Sequence, residues 1–204
     1  MRRASLLLVG VVLFGRPLIA QPLAPSWQTA RRNTGDQIKA AYDAHHREFD
    51  YLLGDWEFTA TNKEWGKARG FWSAVRIAEG PQIFDEYRVV GDSGETFYVS
   101  STFRSYNAVL DRWELITAAQ GEGLQDIGFA RRVGNEMHIE QTFDAIGDKP
   151  ALWRIRYYDI RADRFSWTAD RSFDRGTTWE TEYLKIEARR IGPPRTLKAL
   201  TRSR

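Results

Sequence analysis

Residues 54–60 read Gly54-Asp55-Trp56-Glu57-Phe58-Thr59-Ala60, and within them Trp56, Phe58 and Ala60 alternate with Glu57 and Thr59. Because successive side chains of a β-strand point to opposite faces of the sheet, this alternation predicts a strand with one apolar face. The same two-residue period recurs as far as residue 187, and turn residues such as Gly91-Asp92-Ser93-Gly94 fill nearly every gap. The pattern therefore predicts about ten short strands.

Short gaps between strands predict sequential antiparallel hairpins, that is, an up-and-down meander. Closing such a sheet into a barrel removes its two exposed edges. A helical period occurs only upstream, after the capping residues Asn33-Thr34-Gly35-Asp36, and it predicts a helix from Asp36 to about Arg47. The predicted fold is all-β: a single antiparallel up-and-down β-barrel of about ten strands with a short N-terminal helix.

The strand faces taken as inward carry aromatic and polar side chains, which are the candidate ligand-binding residues. They are Trp56, Asp85, Tyr87, Phe103, Trp113, Phe129, Arg131, Gln141, Trp167 and Arg171. An unpaired buried charge is costly, so Arg131 and Arg171 need either carboxylate partners or an anionic ligand. In one interpretation they hold an acidic group of a ligand in an aromatic pocket. In the other they cap the barrel ends and pair with Asp85 or with a strand-end carboxylate such as Asp159.

The net charge of +3 gives a false impression of a basic domain. Residues 1–20 contribute three arginines and no acid, and residues 189–204 contribute six basic side chains and no acid. The intervening residues 21–188 hold 21 basic and 27 acidic side chains, a net charge of −6. A domain with this balance is a poor electrostatic partner for phosphate backbones, so the sequence excludes nucleic acid as a partner.

The first twenty residues have the pattern of a removable signal peptide. Arg2 and Arg3 precede the apolar run Ala4–Gly15, and a small residue, Ala20, precedes Gln21. The run lies within the ~7–15 residues of a signal-peptide core and is too short to span a bilayer. We therefore expect an exported protein, periplasmic or secreted, without stable membrane insertion after cleavage; an uncleaved N-terminal anchor is the alternative.

The chain contains no cysteine, which excludes a lipid-modified lipoprotein and a disulfide scaffold. The predicted organisation is a signal peptide at 1–20, a linker and short helix at 21–48, the barrel at 49–188, and a basic disordered tail at 189–204. An exported domain without disulfides depends on its apolar core for stability.

Two motifs mark the ends of the barrel. The opening is Phe49-Asp50-Tyr51-Leu52-Leu53-Gly54-Asp55-Trp56-Glu57, and the closing is Ser172-Phe173-Asp174-Arg175-Gly176-Thr177-Thr178-Trp179. Residues 49–188 thereby resemble lipocalin-like (calycin) barrels, and more closely an exported bacterial family known as a domain of unknown function. The resemblance implies that Gly54 permits a tight start to the first strand and that Trp56 closes one end of the barrel. It implies no reaction.

The histidines do not indicate a cofactor. Related barrels that bind haem, the nitrobindins, need a histidine inside, whereas His138 alternates with Glu140 and Thr142 on the polar side of its strand. His45 and His46 are adjacent on the predicted helix and point roughly 100° apart, so they form no chelate. The sequence therefore predicts no haem, no metal and no other cofactor.

Three functions remain open, and the sequence favours a binding or structural protein over an enzyme. A carrier or sensor of a small amphipathic or acidic ligand needs an internal cavity of ~300 Å³ or more. An enzyme acting on a small ligand inside the barrel would use Asp85 as a base, and needs Asp85 free of an arginine partner. An envelope module that binds another protein needs a filled barrel and a large exposed apolar patch.

Overall fold

The computed structural model describes residues 32–78, 80–145 and 147–197. The predicted signal peptide, the first part of the predicted linker and residues 198–204 lie outside this range. The described elements are helix α1 (Asp36–His45), a 3-10 helix (Asp50–Leu52), and strands β1 (Gly54–Asn62), β2 (Gly66–Ile77), β3 (Ile83–Val90), β4 (Thr96–Asn107), β5 (Arg112–Ala119), β6 (Gly123–Leu124), β7 (Gly128–Val133), β8 (Glu136–Phe143), β9 (Ala151–Tyr158), β10 (Arg164–Ser172), β11 (Glu180–Gly192) and β12 (Arg195–Leu197).

Ten of these strands form a closed antiparallel barrel in sequence order. Each pairs with the next along the chain, and β1 pairs with both β2 and β11, which closes the sheet. Strand β6 pairs only with the end of β5, and β12 runs parallel to the last three residues of β2. The predicted fold class, an up-and-down barrel of about ten strands preceded by a short helix, is confirmed.

The sheet extends further than the sequence predicts. Strand β11 continues to Gly192 and β12 follows, so residues 189–192 and 195–197 belong to the sheet, where the sequence predicts a disordered tail. The basic side chains behind that prediction find partners on β1. Arg189 pairs with Glu57 at 2.7 Å, and Arg195 pairs with Asp55 at 2.5 Å.

One end of the barrel is closed by the segment that leads into β1. The Trp56 indole donates to the Leu52 carbonyl at 2.8 Å and meets the Phe165 ring edge-on at 4.8 Å. Gly54 has a φ of +109°, and a Cβ there would lie 2.5 Å from the Arg190 guanidinium. Only glycine accepts this conformation without strain, so the chain enters β1 tightly and turns Trp56 into the closed end.

The turn between β10 and β11 is held by side chains of its own sequence. Asp174 accepts hydrogen bonds from the Ser172 hydroxyl and from the Thr178 amide, each at 2.8 Å. The Trp179 indole donates to the Gly176 carbonyl at 3.0 Å. The hydrogen bonds from Thr178 and Ser172 lower the pKa of Asp174 to about 2, so this carboxylate is a structural anion.

Strand β4 faces the opposite way from the sequence prediction, and β2 carries a large apolar residue on each face. In β2, Trp72 is buried inside and Phe71 lies outside, 47% exposed. In β4, Arg104 is buried inside and Phe103 lies outside, 38% exposed. In both places a large apolar residue is adjacent to the inward one, so hydrophobicity does not identify the inner face.

Strand β7 is reversed as well. Gly128 and Ala130 face inward and are buried, whereas Phe129 and Arg131 lie on the outer face. A side chain at residue 128 would come within 2.8 Å of Leu115 and Gln141, so this part of the interior accepts only small residues. The sequence prediction of Phe129 and Arg131 as inward is therefore wrong.

Candidate ligand-binding cavity

The end of the barrel opposite the 3-10 helix opens through a cleft into an internal cavity. The cavity has a volume of about 320 Å³, and its aromatic wall is formed by Trp72, Tyr87, Tyr98, Phe143, Trp153, Tyr157 and Trp167. The cleft at the mouth is larger, with a volume of about 1020 Å³, and it shares Tyr87, Tyr98 and Trp153 with the cavity. The interior thus meets the ~300 Å³ that a ligand pocket needs.

The aromatic wall is a connected set of ring contacts. Tyr87 stacks on Phe58 at 4.8 Å between ring centres and meets Trp72 edge-on at 5.4 Å. Tyr157 packs against Trp72 at 5.8 Å and against Trp167 at 6.5 Å. Contacts at these separations are favourable beyond the area they bury, so the wall is held in place by its own packing.

A buried ion pair borders the cavity. Asp85 on β3 pairs with Arg104 on β4, with side-chain exposures of 1% and 4%, and the Trp72 indole donates to the same carboxylate at 2.7 Å. Arg104 also approaches the Tyr157 hydroxyl at 3.4 Å. A general base must be free to take a proton from a ligand. The hypothesis of an enzyme with Asp85 as base is therefore wrong.

A strip of polar side chains crosses the cavity wall, and its members hydrogen-bond to one another. The hydroxyls of Thr102 and Thr117 lie 3.2 Å apart, and Thr117 donates to Gln141 at 3.4 Å. The Gln141 amide in turn donates to the Asp126 carbonyl at 2.9 Å. These neutral groups can exchange partners with a ligand at low cost, because each has more hydrogen-bonding capacity than one contact uses.

Arg171 lies at the rim of the cavity between two carboxylates. It pairs with Glu64 from the β1–β2 turn and with Glu180 on β11, the latter at 2.5 Å. Its guanidinium also lies 3.5 Å from the centre of the Tyr183 ring. The arrangement matches the interpretation in which this arginine caps a barrel end and pairs with a strand-end carboxylate, here Glu180 at the start of β11.

The structure divides the ten predicted site residues into three groups. Asp85, Tyr87, Gln141, Trp167 and Arg171 line the cavity. Trp56 and Trp113 are fully buried in the closed end and belong to the core. Phe103, Phe129 and Arg131 lie on the outer face, so their prediction as pocket residues is corrected.

Sequence reasoning missed the cavity residues of β2 and β4. Trp72, Tyr98 and Arg104 line the cavity from β2 and β4. Trp72 pairs directly with Tyr87, which the sequence places on the inner face, and this pairing places Trp72 on the inner face of β2. Trp153 and Tyr157 also line the cavity, and no sequence motif distinguishes them from core residues.

The outer face carries an apolar row across four strands. Val75, Phe84, Phe103 and Ile116 lie side by side on β2 to β5, and Phe84 is 42% exposed. An exposed patch is what the protein-binding alternative requires. The filled interior that the same alternative requires is not observed.

The remaining candidates for chemistry lie away from the cavity. His138 is on the outer face of β8, 2.8 Å from the Glu136 carboxylate. Within the described ranges, no group of three or more His, Asp or Glu side chains is placed to hold a metal ion. Among the same residues, no helix is long and apolar enough to cross a membrane.

The fold and site define a closed ten-stranded barrel with an aromatic internal cavity. No family model and no curated protein matches the chain. Among solved structures, it is similar to an S-type phycobiliprotein lyase from Guillardia theta, with 9% identity over 78% of this chain and 98% of the lyase and a TM-score of 0.49. It is also similar to a redesigned β-barrel, mFAP1, bound to DFHBI, with 13% identity over 71% of this chain and 99% of that one and a TM-score of 0.39. These similarities identify no family, and the fold assignment rests on the strand pairing.

Proposed function

We propose that the protein binds a small amphipathic molecule inside the barrel. The observation that carries this proposal is the cavity of about 320 Å³, walled by aromatic rings and continuous with an open mouth. A flat apolar part of the ligand would lie against Trp72, Trp153 and Trp167. Its polar group would meet the hydroxyls of Thr102 and Thr117, in the mixture of apolar wall and few polar groups usual for ligand sites.

Binding without chemistry is the better account of this site. The one buried carboxylate on the wall, Asp85, is paired with Arg104 and hydrogen-bonded to Trp72. The polar strip from Thr102 to Gln141 contains no nucleophile with an adjacent base. The groups within reach of a ligand are thus suited to orienting it.

The case for an acidic ligand is weakened by the placement of the two arginines. Arg131 lies on the outer face and Arg171 is held by Glu64 and Glu180. An anion entering the mouth would have to displace one of these carboxylates from Arg171. An amphipathic ligand without negative charge meets no such barrier.

We also propose that the barrel acts outside the cytoplasm, on the basis of the signal-peptide pattern of residues 1–20. Expression in a bacterial host, followed by N-terminal sequencing of the mature protein, tests this directly. We expect a chain that begins at Gln21. A chain that still begins at Met1 would contradict it.

Native mass spectrometry of the protein purified from its own cells tests the binding proposal. Ser100 faces the cavity and Ser101, its neighbour on β4, faces outward between Glu86 and Ala118. We expect one small molecule bound to the wild type and to Ser101→Phe, and little or none on Ser100→Phe, whose ring projects into the cavity. An unliganded wild type, or the same bound mass on all three proteins, would overturn the proposal.

A further inference from the structure

The charges around the cavity do not cancel. Five charged side chains line it, namely Asp85, Glu122, Asp144, Arg104 and Arg171. Asp85 and Arg104 neutralise one another. Arg171 is outweighed by its two carboxylate partners, Glu64 and Glu180. Both positive charges are therefore already matched, and the balance depends on Glu122 and Asp144.

Glu122 and Asp144 have no cationic side chain as a partner in the described part of the chain. Glu122 lies in the turn after β5 and lines both the cavity and the mouth. Asp144 follows β8 directly, and among the described residues its carboxylate accepts a hydrogen bond from the Lys149 backbone amide alone, at 3.3 Å. Both lie at the open end, so a molecule that enters passes two carboxylates whose charge is not neutralised locally.

The basic side chains near the entrance do not make its net charge positive. Arg69 lines the mouth but donates to the backbone carbonyls of Gly91 and Asp92, at 3.1 and 3.0 Å. Those bonds to neutral carbonyls leave the charge of Arg69 in place. The mouth lining thus holds two cations, Lys67 and Arg69, against three carboxylates, Asp92, Glu95 and Glu122. The charge of Lys149 acts on Glu64, which already shares Arg171. The entrance is therefore net acidic.

The cavity behind this entrance has the walls that an organic cation prefers. The faces of Trp, Tyr and Phe rings attract a positive charge, and Trp does so most strongly. Trp72, Trp153 and Trp167 all border the cavity, together with Tyr87 and Tyr98. The acidic rim favours a positive charge at the entrance, and the aromatic wall favours a positive charge inside the cavity.

We propose that the ligand is an organic ammonium compound, with a protonated or quaternary amine on an aromatic or otherwise apolar body. The inference rests on the proposed function, since it names the ligand class of the same cavity. The aromatic wall would hold the body and part of the charge, while Glu122 and Asp144 would favour entry of a cation and disfavour an anion. Because both carboxylates are reached by solvent, each contributes a modest factor, and salt weakens it.

Three probes of nearly equal shape separate the charge from the apolar body. They are 2-naphthylmethylamine, which is protonated at pH 7, uncharged 2-naphthylmethanol, and 2-naphthoate. Calorimetric titration of the full-length protein with each gives its Kd. We expect the amine to bind about tenfold more tightly than the alcohol, and the carboxylate to bind most weakly. Raising the salt concentration should weaken the binding of the amine and leave the binding of the alcohol unchanged.

Charge-removing variants locate the effect. Glu122→Gln and Asp144→Asn should each lower the preference for the amine over the alcohol by about twofold, and the double variant should lower it further, leaving the part that is due to the aromatic wall. Asp163→Asn removes an equal charge from the exposed β9–β10 turn at the closed end, and should leave the preference unchanged.

The outcomes separate the two proposals. Binding of the alcohol and amine with equal Kd would overturn the ammonium proposal and leave the binding function intact. Tightest binding of the carboxylate would overturn it in favour of Arg171 as an anion site. If no probe binds, the proposed function itself fails.

Discussion

The guanidinium of Arg190, near the end of β11, lies 4.0 Å from the centre of the Trp56 ring at the start of β1. The same group donates to the Leu53 carbonyl, to the Tyr51 carbonyl at 3.0 Å and to the Ala162 carbonyl at 2.6 Å. Carbonyls at the end of a short helix need such donors, because the helix leaves them unpaired. Arg190 thus joins the last long strand to the segment that closes the barrel.

Replacing Arg190 should destabilise the whole domain. Arg190→Ala removes three carbonyl contacts and a cation–π contact, and we expect a loss of about 2–3 kcal/mol, or roughly 5–10 °C in Tm. Arg189→Ala is the matched control, because the Arg189 side chain is exposed and its one ion pair in the described part of the chain is with Glu57. Thermal unfolding followed by near-ultraviolet circular dichroism measures both. Equal effects of the two variants would contradict this account.

The Asp85–Arg104 pair should respond very differently to single and double substitution. Arg104→Met leaves a buried carboxylate without its cation, and we expect a loss of about 3–5 kcal/mol. Asp85→Asn combined with Arg104→Met removes both charges and keeps an acceptor for the Trp72 indole, so most of that loss should be recovered. Urea unfolding gives the two free energies. A double variant less stable than Arg104→Met would show that the pair is not the coupled unit described.

Acid should weaken the β10–β11 turn through Asp174. Its pKa is lowered to about 2 in the folded protein, from an ordinary value of 3.8. Because the folded state prefers the ionised form, the contribution is fully present well above pH 4 and is lost as the pH falls through about 2. Urea unfolding between pH 5 and pH 2 should show a steeper decline for the wild type than for Asp174→Asn. Parallel declines would contradict the assignment.

The two-residue period predicts strand number, hairpin order and closure, because these depend only on alternation and turn residues. It places Asp85, Tyr87, Gln141, Trp167 and Arg171 at the cavity. It fails at β4 and β7 and does not identify the inner face of β2. Apolar residues occupy both faces in β2, as in Phe71 beside Trp72, and in β4 the interior accepts a charge at Arg104. One reversed strand changes the facing of every residue on it.

The C-terminal segment from residue 189 shows a second limit of prediction from amino-acid composition. Six basic residues without an apolar period predict disorder from residue 189. Arg189, Arg190 and Arg195 instead bind partners contributed by β1 and the segment before it. These partners lie more than 130 residues away in sequence, so no local pattern reveals them.

The central claim is that the open cavity binds a small amphipathic molecule, and a calorimetric titration with uncharged 2-naphthylmethanol tests it most directly. The account predicts one site per chain in the wild type and in Ser101→Phe, and little or no binding to Ser100→Phe, whose side chain projects into the cavity. Equal binding to both phenylalanine variants, or none to the wild type at millimolar probe, would contradict it.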